Sequence, residues 1–507
     1  MTNQREKRNE ASLPHSVFSA DWLRQAERQA AQETGISLFT LMQRAAKAAF
    51  LLAQGEYPQA RHWLILCGHG NNGGDGIEVA RLAKSAGIRV TLLAVEGSKP
   101  LPEEAETARN GWLKSGGTMT PANSAWPHDV DLIIDGLLGT GLSSAPRAPY
   151  DGLIDAINAA SVPVISLDIP SGLDAQTGQT ASKAVYATHT LSFIALKPGL
   201  LTGQARDYTG KLHCDALGLE SWLGGHIAPL QRLDASQLGT WLHPRRPCSH
   251  KGEHGRLLVV GGDNGFAGAI RMASEAALRA GAGLVRVLTH KDHTGPLLTA
   301  RPELMVQELT AQSLDEGLEW ADVLVIGPGL GQKEWGKQAV ERAKKWDKPA
   351  LWDADALNLL AINPGKRQNR VLTPHPGEAA RLLGCSVKEI ESDRLLSARK
   401  LTECYGGVVV LKGAGSLIAS ECGEMAVADV GNAGMASGGM GDVLSGIIGG
   451  LLAPKLTIYD AACAGPVVHG AAADHIAHRQ GTRSMLSTFP SDVSCTSVYP
   501  DPKTTIS

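Results

Sequence analysis

Short apolar runs alternate with longer amphipathic stretches along most of the chain, which is typical of α/β layers around mostly parallel sheets. In the N-terminal half the predicted strands are 62–68, 88–95, 131–139, 163–170 and 190–196, and the predicted helices include 19–53, 76–87 and 103–117. In the C-terminal half the predicted strands are 255–262, 283–290, 322–329, 349–357, 370–377, 408–415 and 416–420, with helices such as 269–283 and 441–454. A polar stretch at 223–255 separates the two series, so the pattern predicts two α/β domains that meet near residues 225–235.

Length and charge narrow the class of protein. The 507 residues correspond to two or three domains of about 150 residues. With 48 Lys and Arg against 51 Asp and Glu, the net charge of −3 excludes the overall basic footprint of a nucleic-acid-binding protein. No apolar run reaches the roughly 18 to 20 residues of a membrane span, and the N-terminus lacks the apolar core of a signal peptide. We therefore expect a cytoplasmic protein with no membrane or nucleic-acid partner, whose eight scattered cysteines are free thiols.

Glycine is the unusual part of the composition, at 58 of 507 residues against a usual share of about 7%. The glycines concentrate after predicted strands, where open α/β sheets bind ligands. The first cluster, 67–76, opens a helix, so bare backbone N–H groups could approach an anion while Asn71, Asn72 and Asp75 supply side-chain ligands. The cluster lacks the dinucleotide fingerprint and the Lys-Ser/Thr of a phosphate loop, and a tight turn with capping side chains is the alternative.

Two further loops lie at strand ends. The loop 136–147 follows Asp135, and the loop 167–178 includes Asp168. With Asn72 and Ser171, these carboxylates could form a set of oxygen ligands that suits a weakly charged hard cation better than zinc. Helix capping or a turn is the alternative for either aspartate.

The most informative loop of the C-terminal half is 431–452, where four glycines precede an apolar helix. N–H groups around Gly438 to Gly441 could form an anion hole beneath a phosphoryl group, with Asp442 as base at the helix start. Capping of its own helix is the alternative role of Asp442. Lys412 and the backbone of 411–416 could hold a phosphate chain.

Three more polar residues of the C-terminal half follow predicted strands. His375 lies in the exposed loop 374–377, which favours a functional role over core packing. Asp353 and Asp355 could orient Mg²⁺-bound water or cap a turn, and the sequence leaves both roles open.

These motifs, in this order, resemble two enzyme domains. GNNGGDG (70–76), DGLLGTGL (135–142) and LDIPSGLDAQTG (167–178) resemble the NAD(P)H-hydrate epimerase domain. The segments that resemble the ADP-dependent NAD(P)H-hydrate dehydratase domain are 251–262, 276–285, 327–331, 373–383, 411–416 and 432–446. Bacterial bifunctional nicotinamide nucleotide repair proteins join both domains in this order. The resemblance implies a Rossmann-like three-layer sandwich at 1–225 and a ribokinase-like domain at 226–490. The polar, aperiodic sequence that follows predicts a flexible tail at 491–507.

The resemblance also implies roles for single residues of the N-terminal domain. Its substrate would be NADH or NADPH with water added across the C5–C6 bond, and Asp168 would be the acid/base group that interconverts the R and S forms. Potassium would be held by Asn72, Asp135 and Ser171. The residues implied to contact the hydrated dinucleotide are Asn71, Asn72, Gly73, Gly74, Asp75, Gly139, Thr140, Gly141, Leu142, Ser143, Ser144, Ala145 and Asp168.

The second domain would phosphorylate the S-hydrate from ADP and eliminate phosphate, leaving AMP and the repaired cofactor. Asp442 would activate the hydroxyl, and Mg²⁺ would accompany the nucleotide. The residues implied to hold the hydrate are Ala269, Gly329, His375 and Asp442. The residues implied to hold the nucleotide are Lys412, Gly413, Ala414, Gly415, Ser416 and Gly441.

Some alternatives remain open at this level. A ribokinase-like vitamin or sugar kinase with a non-catalytic, nucleotide-sensing N-terminal module would use the same glycine-rich loop. A homo-oligomer is possible. The polar segment 488–507 departs from the amphipathic helix usual in the family, and we expect activity to survive because the site motifs lie upstream.

Overall fold

The computed structural model describes residues 12–142 and 144–488. The chain divides into two compact units, an N-terminal unit Met1–Gln231 and a C-terminal unit Arg232–Ser507. Ser143 and the tail 491–507, both subjects of expectations from the sequence, lie outside the described residues.

The N-terminal unit is built on a seven-stranded parallel sheet with the order β4-β3-β2-β5-β6-β7-β8. The strands of this unit are β1 (Ser16–Val17), β2 (His62–Cys67), β3 (Arg89–Ala94), β4 (Thr120–Pro121), β5 (Leu132–Gly136), β6 (Val164–Leu167), β7 (His189–Phe193) and β8 (Lys211–Asp215). Its helices are α1 (Ala20–Thr34), α2 (Leu38–Glu56), α3 (Asn71–Ser85), α4 (Glu103–Lys114), α5 (Tyr150–Ala159), α6 (Ala205–Tyr208) and α7 (Glu220–Leu223). A further strand, β9 (Leu230–Leu233), crosses the boundary to the C-terminal unit.

Alternating residues of the central strand β2 show how the layers form. Trp63, Ile65 and Cys67 belong to one apolar core with residues of α1 to α4, whereas Leu64 and Leu66 belong to another with residues of α5. Successive side chains of a strand point to opposite faces, so both faces of the sheet are covered by helices. The three-layer α/β sandwich expected from the sequence is confirmed.

The segment 19–53 is helical as predicted, and two helices, α1 and α2, occupy it. Gly35 ends α1 with a left-handed φ of +69°, and Ser37 caps the start of α2 by accepting a hydrogen bond from the Thr40 N–H. Glycine tolerates positive φ at no steric cost. Ser19 caps α1, as its position before the helix indicates.

Helix α3 begins at Asn71, so the glycines expected in a loop form its first turns, and the predicted start at residue 76 is wrong. A side chain on Gly73 would lie 2.0 Å from the Gly68 carbonyl oxygen, and one on Gly74 would lie 2.6 Å from Met42. Glycine disfavours helices by about 1 kcal/mol, but here close packing requires bare backbone.

The C-terminal unit has its own sheet, in which nine strands follow the order β18-β17-β16-β15-β14-β13-β10-β11-β12. They are β10 (Arg256–Val260), β11 (Leu284–Thr289), β12 (Met305–Glu308), β13 (Val323–Ile326), β14 (Ala350–Trp352), β15 (Arg370–Leu372), β16 (Val408–Leu411), β17 (Ser416–Ser420) and β18 (Met425–Ala428). The pairs β16–β17 and β17–β18 are antiparallel, and the other neighbouring pairs are parallel.

The helices of the C-terminal unit cover both faces of this sheet. They are α8 (Leu238–Trp241), α9 (Ala267–Ala280), α10 (Thr294–Ala300), α11 (Ala311–Trp320), α12 (Glu334–Ala343), α13 (Asp355–Ile362), α14 (Pro376–Leu383), α15 (Val387–Ser392), α16 (Arg394–Tyr405), α17 (Met440–Leu452) and α18 (Ile458–Gln480). Leu257 and Val259 of β10 share a core with α9, α17 and α18, while Leu258 points toward Gly317 of α11. The strand predicted at 349–357 ends at Trp352, since Asp355 begins α13.

In each unit the strand order reverses once, between β2 and β5 and between β10 and β13. Open α/β sheets form their binding crevices at the carboxyl ends of strands beside such a reversal. Segments 67–76 and 136–142 therefore meet in one unit, and segments 261–269 and 327–331 meet in the other.

A helix that spans a membrane needs roughly 20 consecutive apolar residues. Over residues 12–142 and 144–488, no single helix is long and apolar enough to cross a membrane, although α1 and α2 taken together, bent by 110°, meet the length and composition.

Candidate active sites

The N-terminal unit has a cavity of about 970 Å³ beside the reversal of strand order. The sequence-predicted residues that line it are Asn71, Asn72, Asp75, Gly139, Thr140, Gly141, Leu142, Ser144 and Asp168. Gly73 and Gly74 instead pack against protein, and Ala145 is not part of the lining. The cavity thus brings together residues from loops that are distant in sequence.

Asp168 follows β6 and reaches the cavity from a backbone with a left-handed φ of +65°. This region is uncommon for residues other than glycine and often occurs at functional sites. Its Oδ1 accepts hydrogen bonds from the Phe193 N–H, at 3.1 Å, and from the Lys197 ammonium. Asp168 is therefore held as one half of an ion pair that faces the cavity.

Lys197 was not among the residues expected from the sequence. Its side chain is 3% exposed, and its Nζ donates to Ser192 Oγ and to the Phe193 carbonyl, each at 3.0 Å, in addition to Asp168. The sequence offered one signal for this residue, because Lys197 directly follows the predicted strand 190–196 at the edge of the sheet where ligands bind. With these three acceptors, the ammonium is fixed in one orientation beside Asp168.

Two more carboxyl groups line the same cavity, those of Asp75 and Glu27. Burial, reinforced by Glu27 and Asp168, raises the pKa of Asp75 well above its usual value. Burial and the nearby Asp168 also raise the pKa of Glu27. Three carboxyl groups thus share one ammonium, which favours holding a proton in the cavity.

The residues expected to hold potassium also come together. Asp135 is fully buried, and its oxygens accept hydrogen bonds from neutral donors: the Ser166 and Ser171 hydroxyls and the N–H groups of Ser171 and Leu137. Among the described residues, Asn72 Oδ1 is buried without a hydrogen-bond partner, while Asn72 Nδ2 donates to the Leu138 carbonyl at 3.1 Å. Ser171 Oγ, which donates to Asp135, also lies 3.3 Å from this Leu138 carbonyl, so the three residues share one neighbourhood. An unpartnered amide oxygen and a buried carboxylate in one neighbourhood fit a hard monovalent cation.

In the C-terminal unit, Lys412 lies at the centre of a group of acids. Its Nζ is 2.8 Å from Asp353 Oδ1 and 3.7 Å from Glu378 Oε2. Asp353 Oδ2 also accepts a hydrogen bond from Ser445 at 2.7 Å, which binds this pair to helix α17. Burial opposes the charge of Lys412, but the carboxylates of Asp353 and Glu378 outweigh it and raise the pKa of the ammonium.

Asp442 lies in the first turn of α17, next to this group. Gly439 starts the helix with a φ of +91°, and no side chain of the described residues caps this end. A side chain on Gly441 would lie 3.3 Å from Lys412 Nζ, so the helix start faces the ammonium. Burial, together with the neighbouring Asp353 carboxylate, raises the pKa of Asp442 to about 6. The geometry combines open N–H groups, an ammonium and a carboxyl that titrates near neutrality.

A buried arginine, Arg394, holds the backbone around Lys412 through hydrogen bonds. Arg394 Nη2 donates to the carbonyls of Leu411, at 3.2 Å, and Lys412, at 3.1 Å. Gly413 has a φ of +154°, and a side chain there would lie 2.6 Å from the Arg394 guanidinium. Ser416 Oγ donates to the Gly413 carbonyl, which closes the loop. Arg394 is therefore a supporting residue that the motif did not include.

His375 and Asp355 have structural roles in the fold. His375 Nδ1 accepts a hydrogen bond from the Gly377 N–H and caps α14, while half of its side chain stays exposed. Asp355 accepts hydrogen bonds from the Gly331 N–H and the Gln332 amide, which fixes the loop after β13. These contacts agree with the capping alternative for Asp355, and the exposed edge of His375 stays available to a ligand.

Ala269 and Gly329 lie side by side. A side chain on Gly329 would be 3.2 Å from Ala269 Cβ and 2.7 Å from Phe266 Cβ. Gly329 has a φ of +58°, so its backbone also favours glycine. The two residues form a bare surface at the reversal of strand order in the C-terminal unit.

Two family models match the chain. Residues 38–199 match the model described as YjeF-related protein N-terminus, and residues 257–496 match the model described as NAD(P)H-hydrate dehydratase. The two matches lie in different units and occur in the order expected from the motifs.

Curated relatives match nearly the whole chain. The bifunctional NAD(P)H-hydrate repair enzyme of Escherichia coli strain K12 is 64% identical and covers 96% of this chain and 95% of its own length. The bifunctional NAD(P)H-hydrate repair enzyme of Leishmania braziliensis is 46% identical and covers 94% of this chain and 93% of its own length.

Among solved structures, a ribokinase-like superfamily protein of Enterococcus faecalis is 31% identical with a TM-score of 0.50, and it covers 54% of this chain and 96% of its own. The match agrees with the ribokinase-like fold expected for the C-terminal unit.

Proposed function

This chain belongs to the family of bifunctional NAD(P)H-hydrate repair enzymes, and we propose that its two units carry out the two steps of the repair. The N-terminal unit interconverts the R and S hydrates of NADH and NADPH. The C-terminal unit dehydrates the S form with ADP, releasing AMP and phosphate. The observation that carries the proposal is that one chain holds two separate carboxylate sites, each at the carboxyl edge of its own sheet. The kinase alternative leaves the first site without a role and is not favoured by the family matches.

In the N-terminal unit the chemistry centres on Asp168. The hydrate carries its hydroxyl on C6 beside N1, so the ring opens without a strong base. Asp168 takes the hydroxyl proton while the C6–N1 bond breaks, and the electron pair moves onto N1 and into the conjugated carboxamide. Rotation of the aldehyde and reclosure, with return of the proton, give the other epimer. Lys197 orients the carboxylate during both transfers.

Potassium suits the cluster of Asn72, Asp135 and Ser171. The unpartnered Asn72 Oδ1 and the Asp135 carboxylate would hold it, together with Ser171. When bound, the ion would supply positive charge at the edge of the cavity, which favours a substrate with phosphate groups.

In the C-terminal unit Asp442 acts as base for phosphoryl transfer. It takes the C6 hydroxyl proton as the oxygen attacks the β-phosphorus of ADP, and AMP leaves. The N1 lone pair then expels phosphate from C6, and loss of a proton from C5 restores the nicotinamide double bond. Phosphoryl transfer depends mainly on positioning and charge, which Lys412 and the open N–H groups at the start of α17 provide.

Mg²⁺ fits the charges around Lys412. Three carboxyl groups, those of Asp353, Glu378 and Asp442, surround one ammonium, and carboxylate oxygens are the ligands that Mg²⁺ takes together with nucleotide phosphates. These carboxylates would hold the ion, which would neutralise the phosphate oxygens. Gly413 to Ser416 would contact the nucleotide.

The test follows recovery of reduced-cofactor absorbance from purified R- and S-hydrates with ADP. Wild type should recover both forms, Asp168→Asn only the S form, and Asp442→Asn neither, although Asp442→Asn should still convert R to S. If wild type restores the cofactor from the S-hydrate alone, the epimerase role is wrong. If it restores the cofactor from neither hydrate, the whole proposal is wrong. A phosphorylated vitamin or sugar as product would instead support the kinase.

A further inference from the structure

A second cluster of possible metal ligands lies in the N-terminal unit, away from the cavity. Glu56 is the last residue of α2, His189 is the first residue of β7, and His213 lies on the neighbouring strand β8. The opposite ends of the same two elements line the cavity, through Met42 of α2 and Phe193 of β7. The cluster therefore lies at the amino edge of the sheet and is separate from the potassium ligands.

The three side chains converge on one point. One ligand atom from each lies within 4.8 Å of the other two, and His189 Nδ1 is 3.0 Å from His213 Nε2. Zinc binds imidazole nitrogen at about 2.0–2.1 Å in tetrahedral geometry, which separates two nitrogen ligands by about 3.3 Å. If the two imidazole rings moved apart by a few tenths of an ångström, both nitrogens could bind one zinc ion instead of contacting each other.

We propose that Glu56, His189 and His213 bind one divalent cation of the zinc type, with water in the fourth position. Two imidazoles and one carboxylate are a ligand set that zinc takes in proteins. His189 is buried, and the Tyr57 ring packs edge-on against it at 5.6 Å, so its orientation is fixed before an ion arrives. Glu56 is exposed and gives the ion a path from solvent.

Lys211 is the group that competes with a metal at this place. Its Nζ is 3.7 Å from Glu56 Oε1, and the two side chains are 47% and 37% exposed. A surface ion pair of this kind contributes little to stability, so the carboxylate is readily transferred to a divalent ion. The bound ion would join the end of α2 to β7 and β8 and stabilise this unit by mass action.

The experiment titrates the chelator-treated full chain with Zn²⁺ in competition with a chromogenic chelator. Wild type should bind one equivalent more than His213→Gln, and Glu56→Gln should bind this equivalent at least tenfold more weakly. The exposed His128 is the matched control, since His128→Gln should bind as wild type does. Zn²⁺ should also raise the unfolding temperature of wild type but not of His213→Gln.

Thiols need separate treatment, because Cys248, Cys404 and Cys422 are exposed and can bind zinc. Co²⁺ at the proposed site should give visible d–d bands, lost in His213→Gln, without a thiolate charge-transfer band. Circular dichroism in the presence of chelator checks that each variant folds. If His213→Gln does not fold, Glu56→Gln alone tests the proposal, because Glu56 is exposed and its replacement should leave the fold intact. Equal zinc binding by wild type and Glu56→Gln, or no tight equivalent in wild type, overturns the proposal.

Discussion

Lys197 is the residue whose charge most directly affects the first site. Its ammonium neutralises Asp168 and holds the carboxylate toward the cavity, while Ser192 and the Phe193 carbonyl fix the ammonium itself. A residue without charge at this place leaves the carboxylate without its compensating charge and without one of the two hydrogen bonds that orient its Oδ1.

We expect Lys197→Met to lower epimerisation of the R-hydrate about 100-fold, because acid/base catalysis of this size depends on a positioned carboxylate. Dehydration of the S-hydrate should stay unchanged, since the second site uses other residues. The measurement is cofactor recovery from each hydrate. Lys183→Met is the matched control, because Lys183 pairs with Asp155 near the surface, and its rates should stay within about twofold of wild type. Equal loss of both activities would contradict a role limited to Asp168.

Asp442 makes the second reaction depend on pH in a defined direction. Its pKa is raised to about 6 by burial and by Asp353, and a base must be ionised to accept the hydroxyl proton. The kcat/KM for the S-hydrate should therefore be level above pH 7 and fall with decreasing pH, approaching tenfold per unit below pH 6.

A control for this profile is needed because burial raises the pKa of Glu378 to about 7. Glu378→Gln should keep the fall in rate near pH 6, shifted slightly because the charge of the pocket changes. A rate that stays constant between pH 7 and 5 would contradict the role of Asp442 as base.

At the scale of elements, hydrophobic patterns predicted what local sequence determines. β2 and β10 appear as continuous apolar runs because both faces of a central strand are buried, and β17 has its predicted bounds, 416–420. The start of helix α3 could not be predicted, because its first turns contain glycines, which disfavour a helix on their own. The glycines lie in this helix because of close contacts with Gly68 and Met42 and not because of their local propensity.

Ion pairs between residues that are far apart in the sequence could not be predicted either. Lys197 and Asp168 are 29 residues apart, and Lys412 and Asp353 are 59 apart. Motifs identified the carboxylates, but only the strand order brings each ammonium to its partner.

Helices α9 and α17 pack so closely that glycine is required between them. A side chain on Gly446 would lie 2.0 Å from the Ala273 carbonyl oxygen, which only a movement of the helices can relieve. We expect Gly446→Ala to destabilise the C-terminal unit by about 1–3 kcal/mol, despite the better helix propensity of alanine. Since α17 carries Asp442, dehydration should also decrease.

Gly268 provides the matched control in α9, because a side chain there would have nothing within 4 Å. Gly268→Ala should leave stability unchanged or raise it by up to about 1 kcal/mol. Both effects are measured as midpoints of denaturant unfolding. If the two variants unfold at the same midpoint, the close approach of the helices does not limit stability.

At the scale of the whole molecule, each unit has its own sheet, apolar core and reversal of strand order. The order of motifs predicted two chemistries in one chain because each motif set belongs to one sheet. Whether the units also fold and act apart depends on the boundary, where β9 must stay with the partners that stabilise it.

The boundary contacts indicate where to cut. The Asp429 N–H donates to the Leu233 carbonyl at 2.8 Å, and buried Arg232 pairs with Asp429 at 3.0 Å, so the second half of β9 is anchored in the C-terminal unit. On the other side, His226 packs against Trp222 with ring centroids 4.2 Å apart. A cut between Ala228 and Pro229 keeps both groups of contacts, although it separates β1 from Leu230 and Gln231, with which β1 pairs.

We expect the fragment 229–507 to dehydrate the S-hydrate with ADP but to leave the R-hydrate unrepaired beyond its spontaneous epimerisation. Adding the fragment 1–228 should restore repair of the R form, because the hydrate can diffuse between separate sites. Cofactor absorbance measures both results, and a fragment cut after Arg232 is the control, since it removes Arg232 from its buried ion pair and should unfold at a lower temperature. A fragment 229–507 that is folded but inactive toward the S-hydrate would show that the second chemistry requires the first unit, and the assignment of one step to each unit would then be wrong.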